Sequence, residues 1–190
     1  GKKITLVTPA HKDEVRYPSW TKGEVPAPPK HNWHAGLQYL GDVDRAQKAL
    51  AELNKYYPEA TNYEVAGFLW WQGDKDRYVE AHAARYEKNL VRLIKTLREE
   101  FKAPKAKFVV ATLGQTSKDA PPGNDKLILD AQLSVDGTTG KYEEFKGNVA
   151  TVYTHPLSQG GASNSHYDGN AQTYMDVGVA VGEAMVELLK

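Results

Sequence analysis

A chain of 190 residues with 41% hydrophobic side chains is long enough for one domain with a real core. Its 24 basic residues balance 24 acidic ones, and a formal net charge of +0 removes the electrostatic case for nucleic acid or an anionic membrane surface. With no cysteine there is no disulfide, thiolate metal site or thiol nucleophile, and no apolar run nears the roughly 20 residues that span a bilayer. The chain opens Gly1-Lys2-Lys3 without methionine or signal peptide, the pattern of a trimmed or processed product.

In chain order, Ile4-Thr5-Leu6-Val7-Thr8 reads as a short strand closed by Pro9. From about residue 9 to 41 the composition is rich in Pro and Lys without a period, a long excursion loop. Tyr17, Trp20, Trp33 and Tyr39 favour packing of that loop on the domain. Asp44 to Tyr57 reads as a helix with Ala46, Ala49, Leu50 and Leu53 on one face, stopped by Pro58. Val65 to Trp71 is apolar on both faces, as a central parallel strand is. Ala81 to Phe101 is the clearest helix, with Tyr86, Leu90, Leu93, Ile94, Leu97 and Phe101 on a 3.6-residue stripe. Phe108 to Leu113 is a buried strand, Lys126 to Val135 a helix ended by the Asp136-Gly137 turn, and Asn148 to Tyr153 a last strand. A Gly/Ser/Asn loop over Gln159 to Asn164 leads to a closing helix, Gln172 to Leu189, where Gly178 and Gly182 would permit close packing on the sheet. Strands alternating with helices predict an α/β three-layer sandwich with a small parallel sheet of about four strands in one domain.

Two stretches carry chemistry. Phe68-Leu69-Trp70-Trp71-Gln72-Gly73-Asp74-Lys75-Asp76 is an apolar strand that stops at a Gln-Gly and turns polar. Such a turn places groups at the carboxyl edge of a sheet, where ligands of α/β folds bind. Ser165-His166-Tyr167-Asp168-Gly169-Asn170 then delivers a histidine just ahead of the last helix, a natural position for a general base. Ser117, Ser134, Ser158, Ser163 and Ser165 are weak nucleophile candidates, since no Gly-x-Ser-x-Gly elbow occurs. His31 and His34 lack a clear third ligand, so no metal is expected, and Gly160-Gly161 lacks the spacing and lysine of a phosphate loop.

Plainer roles exist for each residue. His166 suits a surface or helix-capping position, and Gln72-Gly73 a strand-ending turn. Asp74 and Asp76 would cap the helix that follows and complement its dipole. Trp70 and Trp71 would place one indole in each core layer, the alternative being a sugar platform.

Taken in order from about Tyr63 to the C-terminus, several features resemble the sialate O-acetylesterase-like branch of the SGNH hydrolases, and through it the acetyl xylan esterases. They are Gly67 to Gly73, the amphipathic helix, the Lys107-Phe108-Val109-Val110-Ala111-Thr112 strand, the Asp130-Ala131-Gln132 helix and His166-Tyr167-x-Gly169-Asn170-Ala171-x-Thr173-Tyr174. The resemblance implies a flavodoxin-like SGNH domain and serine-type hydrolysis of an acetylated carbohydrate or other small ester, without a cofactor. It implies His166 as base and Gln72 and Gly73 as oxyanion support, with Trp71, Asp74, Asp76, Tyr167 and Asn170 contacting substrate. It also implies a secreted or periplasmic protein.

The sequence departs from the family pattern at three places. No Gly-Gln-Ser-Asn nucleophile motif occurs, Ser163 stands where the orienting Asp of an Asp-x-x-His is expected, and Lys75 where an Asn is. The base would then be oriented by Asp168 or a backbone carbonyl. Gly1 would correspond to the family's second-block glycine, making the chain the C-terminal portion of a longer domain and leaving the nucleophile in a segment outside it. An unpaired sheet edge would in turn invite self-association or a complementing N-terminal segment. The rival expectation is a non-catalytic SGNH-derived module that binds glycan or protein.

Overall fold

The computed structural model describes residues 37–161 and 163–190. Three parallel strands, β1 (Gly67–Trp71), β2 (Lys107–Ala111) and β3 (Val149–Val152), form a sheet in the order β1-β2-β3. The register pairs Trp70 with Val110 and Val110 with Thr151. The fourth expected strand, Ile4 to Thr8, lies outside the described residues, as do His31 and His34.

Residues that alternate along each strand bury two different faces. Phe68, Trp70, Phe108, Val110 and Val149 face a core shared with helices α1 (Leu37–Ala51), α4 (Tyr86–Glu100) and α5 (Asn124–Ser134). Trp71, Val109, Ala111 and Val152 face helix α6 (Ala171–Leu189), which supplies Val177, Val181, Met185 and Leu188. The sandwich therefore has three layers, and the two indoles divide between them as the sequence predicts. Two one-turn helices complete the set, α2 (Leu53–Tyr56) and α3 (Glu80–Ala83).

Several boundaries differ from expectation. The excursion loop does not reach residue 41, because α1 begins at Leu37. Tyr39 and Val43 carry the apolar face of Ala46 and Leu50 back by one more turn and into the core. The helix expected over Ala81 to Phe101 is broken at Ala84-Arg85, where Arg85 bonds back to the His82 carbonyl at 3.1 Å. No Gly or Pro stands at that break. It separates α3 from α4 and leaves Tyr86 fully buried at the head of α4. Gly178 and Gly182 do not pack on the sheet. Both are exposed, and a Cβ added at either would meet nothing within 4 Å among the described residues.

The outer edge of β1 is unpaired among the described residues, and Leu69 on it is 59% exposed. Along that edge runs an apolar groove of about 740 Å³, walled by Val43, Ala46 and Leu50 of α1 and by Phe68 and Trp70 of β1.

Asp136 ties the α5–β3 connection together. Its carboxylate accepts the N–H groups of Thr138 (2.9 Å), Thr139 (2.8 Å) and Thr151 (2.8 Å). Burial alone would raise its pKa, but these hydrogen bonds outweigh that and hold it below the ordinary aspartate value. A depressed folded pKa gives stability that is complete above the unfolded value, about 3.9, and is lost as pH falls through the folded one. Denaturant unfolding should therefore show stability declining below about pH 4. Asp136→Asn should weaken the protein by about 1–3 kcal/mol at pH 7 and flatten that acid decline. An acid slope unchanged by the substitution would assign it to other carboxylates.

Candidate active site

Gln72 and Gly73 leave β1 at the carboxyl edge of the sheet. The Gln72 carbonyl turns into the α4–α5 layer, where it accepts the Tyr86 hydroxyl at 2.6 Å and Gln132 Nε2 at 2.8 Å. The Gln72 side chain donates from Nε2 to Asp76 Oδ2 at 2.7 Å. Its Oε1 is buried and finds no hydrogen-bond partner among the described residues.

Gly73 has φ +144. A Cβ there would lie 2.9 Å from Ile128 Cγ2 and 3.2 Å from the Tyr86 hydroxyl, so glycine is required both by backbone and by space. Asp76 is fully buried in the short turn that follows. Asp74 instead pairs with Arg77, whose Nε lies 2.9 Å from its Oδ1 and whose Nη1 reaches Asp125 at 3.3 Å. The expectation that these aspartates cap a helix is not met: the residues heading the next two helical turns, Lys75 and Val79, make no side-chain cap bond. Asp76 is engaged by an amide and Asp74 by a guanidinium.

The second motif forms a helical turn, Ser163–Gly169, directly ahead of α6. His166, Tyr167 and Asp168 all have left-handed backbones, φ +52, +53 and +51. For a tyrosine this is a costly conformation, on the order of 1–2 kcal/mol. The turn sends Tyr167 inward, 3% exposed, while His166 and Asp168 remain on the surface. Tyr167 stacks on Trp71 with ring centroids 5.9 Å apart and planes at 23°. Its hydroxyl accepts the Gly114 N–H at 3.1 Å. Burial pushes the Tyr167 phenol up, so it stays protonated.

Tyr174 packs edge-on to Tyr167, tilts against Trp71 at 5.6 Å and donates to the His166 carbonyl at 3.2 Å. The two motifs, nearly a hundred residues apart in sequence, are thus joined by an aromatic cluster. Asn170 caps α6, its Oδ1 accepting the Thr173 N–H at 2.8 Å.

Among the described residues the His166 ring makes no side-chain hydrogen bond, to Asp168 or to any other acid. Two of the described serines are committed elsewhere, Ser158 Oγ donating to the Thr154 carbonyl at 2.8 Å and Ser134 Oγ to that of Ala131 at 2.8 Å, while Ser117 is half-buried in the loop after β2. No group of three or more His, Asp or Glu able to hold a metal occurs among the described residues. No helix among them is long and apolar enough to cross a membrane.

Sequence reasoning missed two kinds of residue at this edge. By sequence Gln132 and Tyr86 are only parts of helices, although Gln132 is a polar residue on the Ile128–Val135 apolar face of α5, a pattern that asks for a buried partner. His155, just after β3, lies in no motif that the sequence singles out. Its Nδ1 donates to the Gly114 carbonyl at 2.7 Å, so the neutral ring presents Nε2 as its acceptor.

No curated protein matches the chain significantly. A solved structure of an Arabidopsis thaliana protein is similar in fold, with a TM-score of 0.53 and 22% identity; the match covers 86% of this chain and 57% of that one. A family model described as "Carbohydrate esterase, sialic acid-specific acetylesterase" matches residues 2–187. With nearly its whole length matched, the chain belongs to the sialic acid-specific acetylesterase family of carbohydrate esterases.

Proposed function

We propose that the domain is a carbohydrate O-acetylesterase of the SGNH, sialate O-acetylesterase-like branch, working by a serine-type mechanism. The observation that carries this reading is the Trp71–Tyr167 stack, which packs the Gln72-Gly73 exit of β1 against the His166 turn at one carboxyl edge. An alcohol is a weak nucleophile until a base takes its proton, and the tetrahedral oxyanion that follows needs fixed donors. His166 is assigned as the base. The Gln72 amide nitrogen gives one N–H to Asp76, which orients the amide and leaves its second N–H, with the Gly73 N–H, for oxyanion support. Trp71 and Tyr174, backed by the buried Tyr167, offer an aromatic edge of the kind on which the apolar face of a sugar ring packs.

A second reading, a non-catalytic glycan- or protein-binding module, is favoured by the His166 ring having no acid partner among the described residues. Labelling with a serine-reactive fluorophosphonate, read by intact mass and peptide mapping, separates the two. The esterase reading expects one adduct per chain, lost in His166→Ala, and the mapped peptide names the nucleophile. Well-folded protein that takes up no label would overturn autonomous catalysis and leave the binding module.

A further inference from the structure

Tyr86 and Gln132 come from different helices and converge on one atom, the Gln72 carbonyl oxygen, at 2.6 and 2.8 Å. They also touch each other, Gln132 Nε2 lying 3.2 Å from the Tyr86 hydroxyl. Neither residue can turn away. Gln132 is 0% exposed; its Oε1 accepts the Leu113 N–H at 3.2 Å and its own carbonyl accepts Thr151 Oγ1 at 2.9 Å. The side chain is therefore anchored at the exit of β2 while it reaches the exit of β1, and the backbone of the same residue is tied to β3. Tyr86 is also fully buried, and its phenol is pushed up by that burial and by the Asp76 charge, so it remains a donor.

The other half of the same peptide group is the Gly73 N–H. Gly73 is buried, yet its N–H donates to no described residue, an uncommon state for a buried backbone donor. In a trans peptide the N–H points opposite to the C=O. With the carbonyl held into the α4–α5 layer, the Gly73 N–H is directed away from that layer. Two hydrogen bonds accepted at the carbonyl also polarise the peptide and strengthen the N–H as a donor.

We propose that Tyr86 and Gln132 are positioning residues that lock the Gln72–Gly73 peptide and present the Gly73 N–H as a preorganised oxyanion donor. The catalytic half of this inference rests on the esterase reading; the lock itself does not. Two readouts keep them apart. In protein labelled with 15N-glycine, which has only 16 glycines, Tyr86→Phe and Gln132→Met should each move the Gly73 amide resonance. In p-nitrophenyl acetate hydrolysis each should lower kcat by about tenfold with KM changed less than about twofold, a fraction of the 10²–10³ that a lost oxyanion donor costs.

Tyr86→Phe keeps the ring in the core and serves if Gln132→Met fails to fold. A Gly73 resonance unmoved in a folded variant overturns the lock. A moved resonance with kcat unchanged overturns the catalytic role. Wild-type protein that does not turn over the ester sinks the esterase reading and that role together, while the resonance still decides the lock.

Discussion

Gly73→Ala is expected to destabilise the fold by about 2–4 kcal/mol, lowering Tm by roughly 5–15 °C. Two costs combine. The residue holds φ +144, a backbone that a side chain makes unfavourable, and its Cβ would come 2.9 Å from Ile128 Cγ2 in a fully buried part of α5. Relief by movement would disturb the Tyr86 and Gln132 bonds to the Gln72 carbonyl, so strain and lost hydrogen bonding are coupled. Gly178→Ala provides an internal contrast. Gly178 is exposed on α6, where a Cβ meets nothing among the described residues, and alanine there should stabilise by about 0.5–1 kcal/mol. Thermal and urea unfolding of both variants checks the pair. A Gly73→Ala protein as stable as wild type would remove the argument that this turn is built around glycine.

The second large effect concerns activity alone. In protein that hydrolyses an acetyl ester, His166→Ala should lower kcat by about 10²–10⁴, the usual contribution of a positioned general base. Stability should stay within about 0.5 kcal/mol, because the side chain is exposed and makes no hydrogen bond among the described residues. His166→Gly should lose the same activity and be at least as stable as wild type, since glycine adopts φ +52 without penalty. Steady-state kinetics and thermal unfolding on the same preparations separate the two properties. Full activity in either variant would remove His166 from the mechanism; His155, anchored on the Gly114 carbonyl, would then be the histidine to test at this edge.

Acetyl transfer to water also requires a nucleophile, and the described serines show how little a hydroxyl's presence means without its geometry. Ser158 Oγ lies where a Cβ on Gly114 would sit, 1.8 Å away, so Gly114 must be glycine for the loop to close. Yet its proton is committed to the Thr154 carbonyl. Mapping of the labelled peptide is therefore more informative than any count of serines.

What the sequence by itself determined is the part of the protein set by local pattern. Runs apolar on both faces mark strands buried in a parallel sheet, and Phe108, Val109, Val110 and Ala111 prove to be buried to within 1% exposure. The stripe from Tyr86 to Leu97 marks α4, and the Trp-Gln-Gly and His-Tyr-x-Gly-Asn-Ala motifs point to the esterase family that the full-length match establishes. These features rest on spacings of two to four residues, and side-chain hydropathy encodes such spacings directly.

Only the tertiary structure decided which groups meet. Gln132 bonds the carbonyl of Gln72 across 60 positions, Gly114 meets the Tyr167 hydroxyl across 53, and the break at Ala84-Arg85 leaves no Gly or Pro as a signal. The same holds for Gly178 and Gly182, which look like packing glycines and are exposed because the sheet meets the helix through Val177 and Val181. A hydrogen bond between distant residues depends on where two elements dock, and that is set by the summed packing of the whole core. No local period records it.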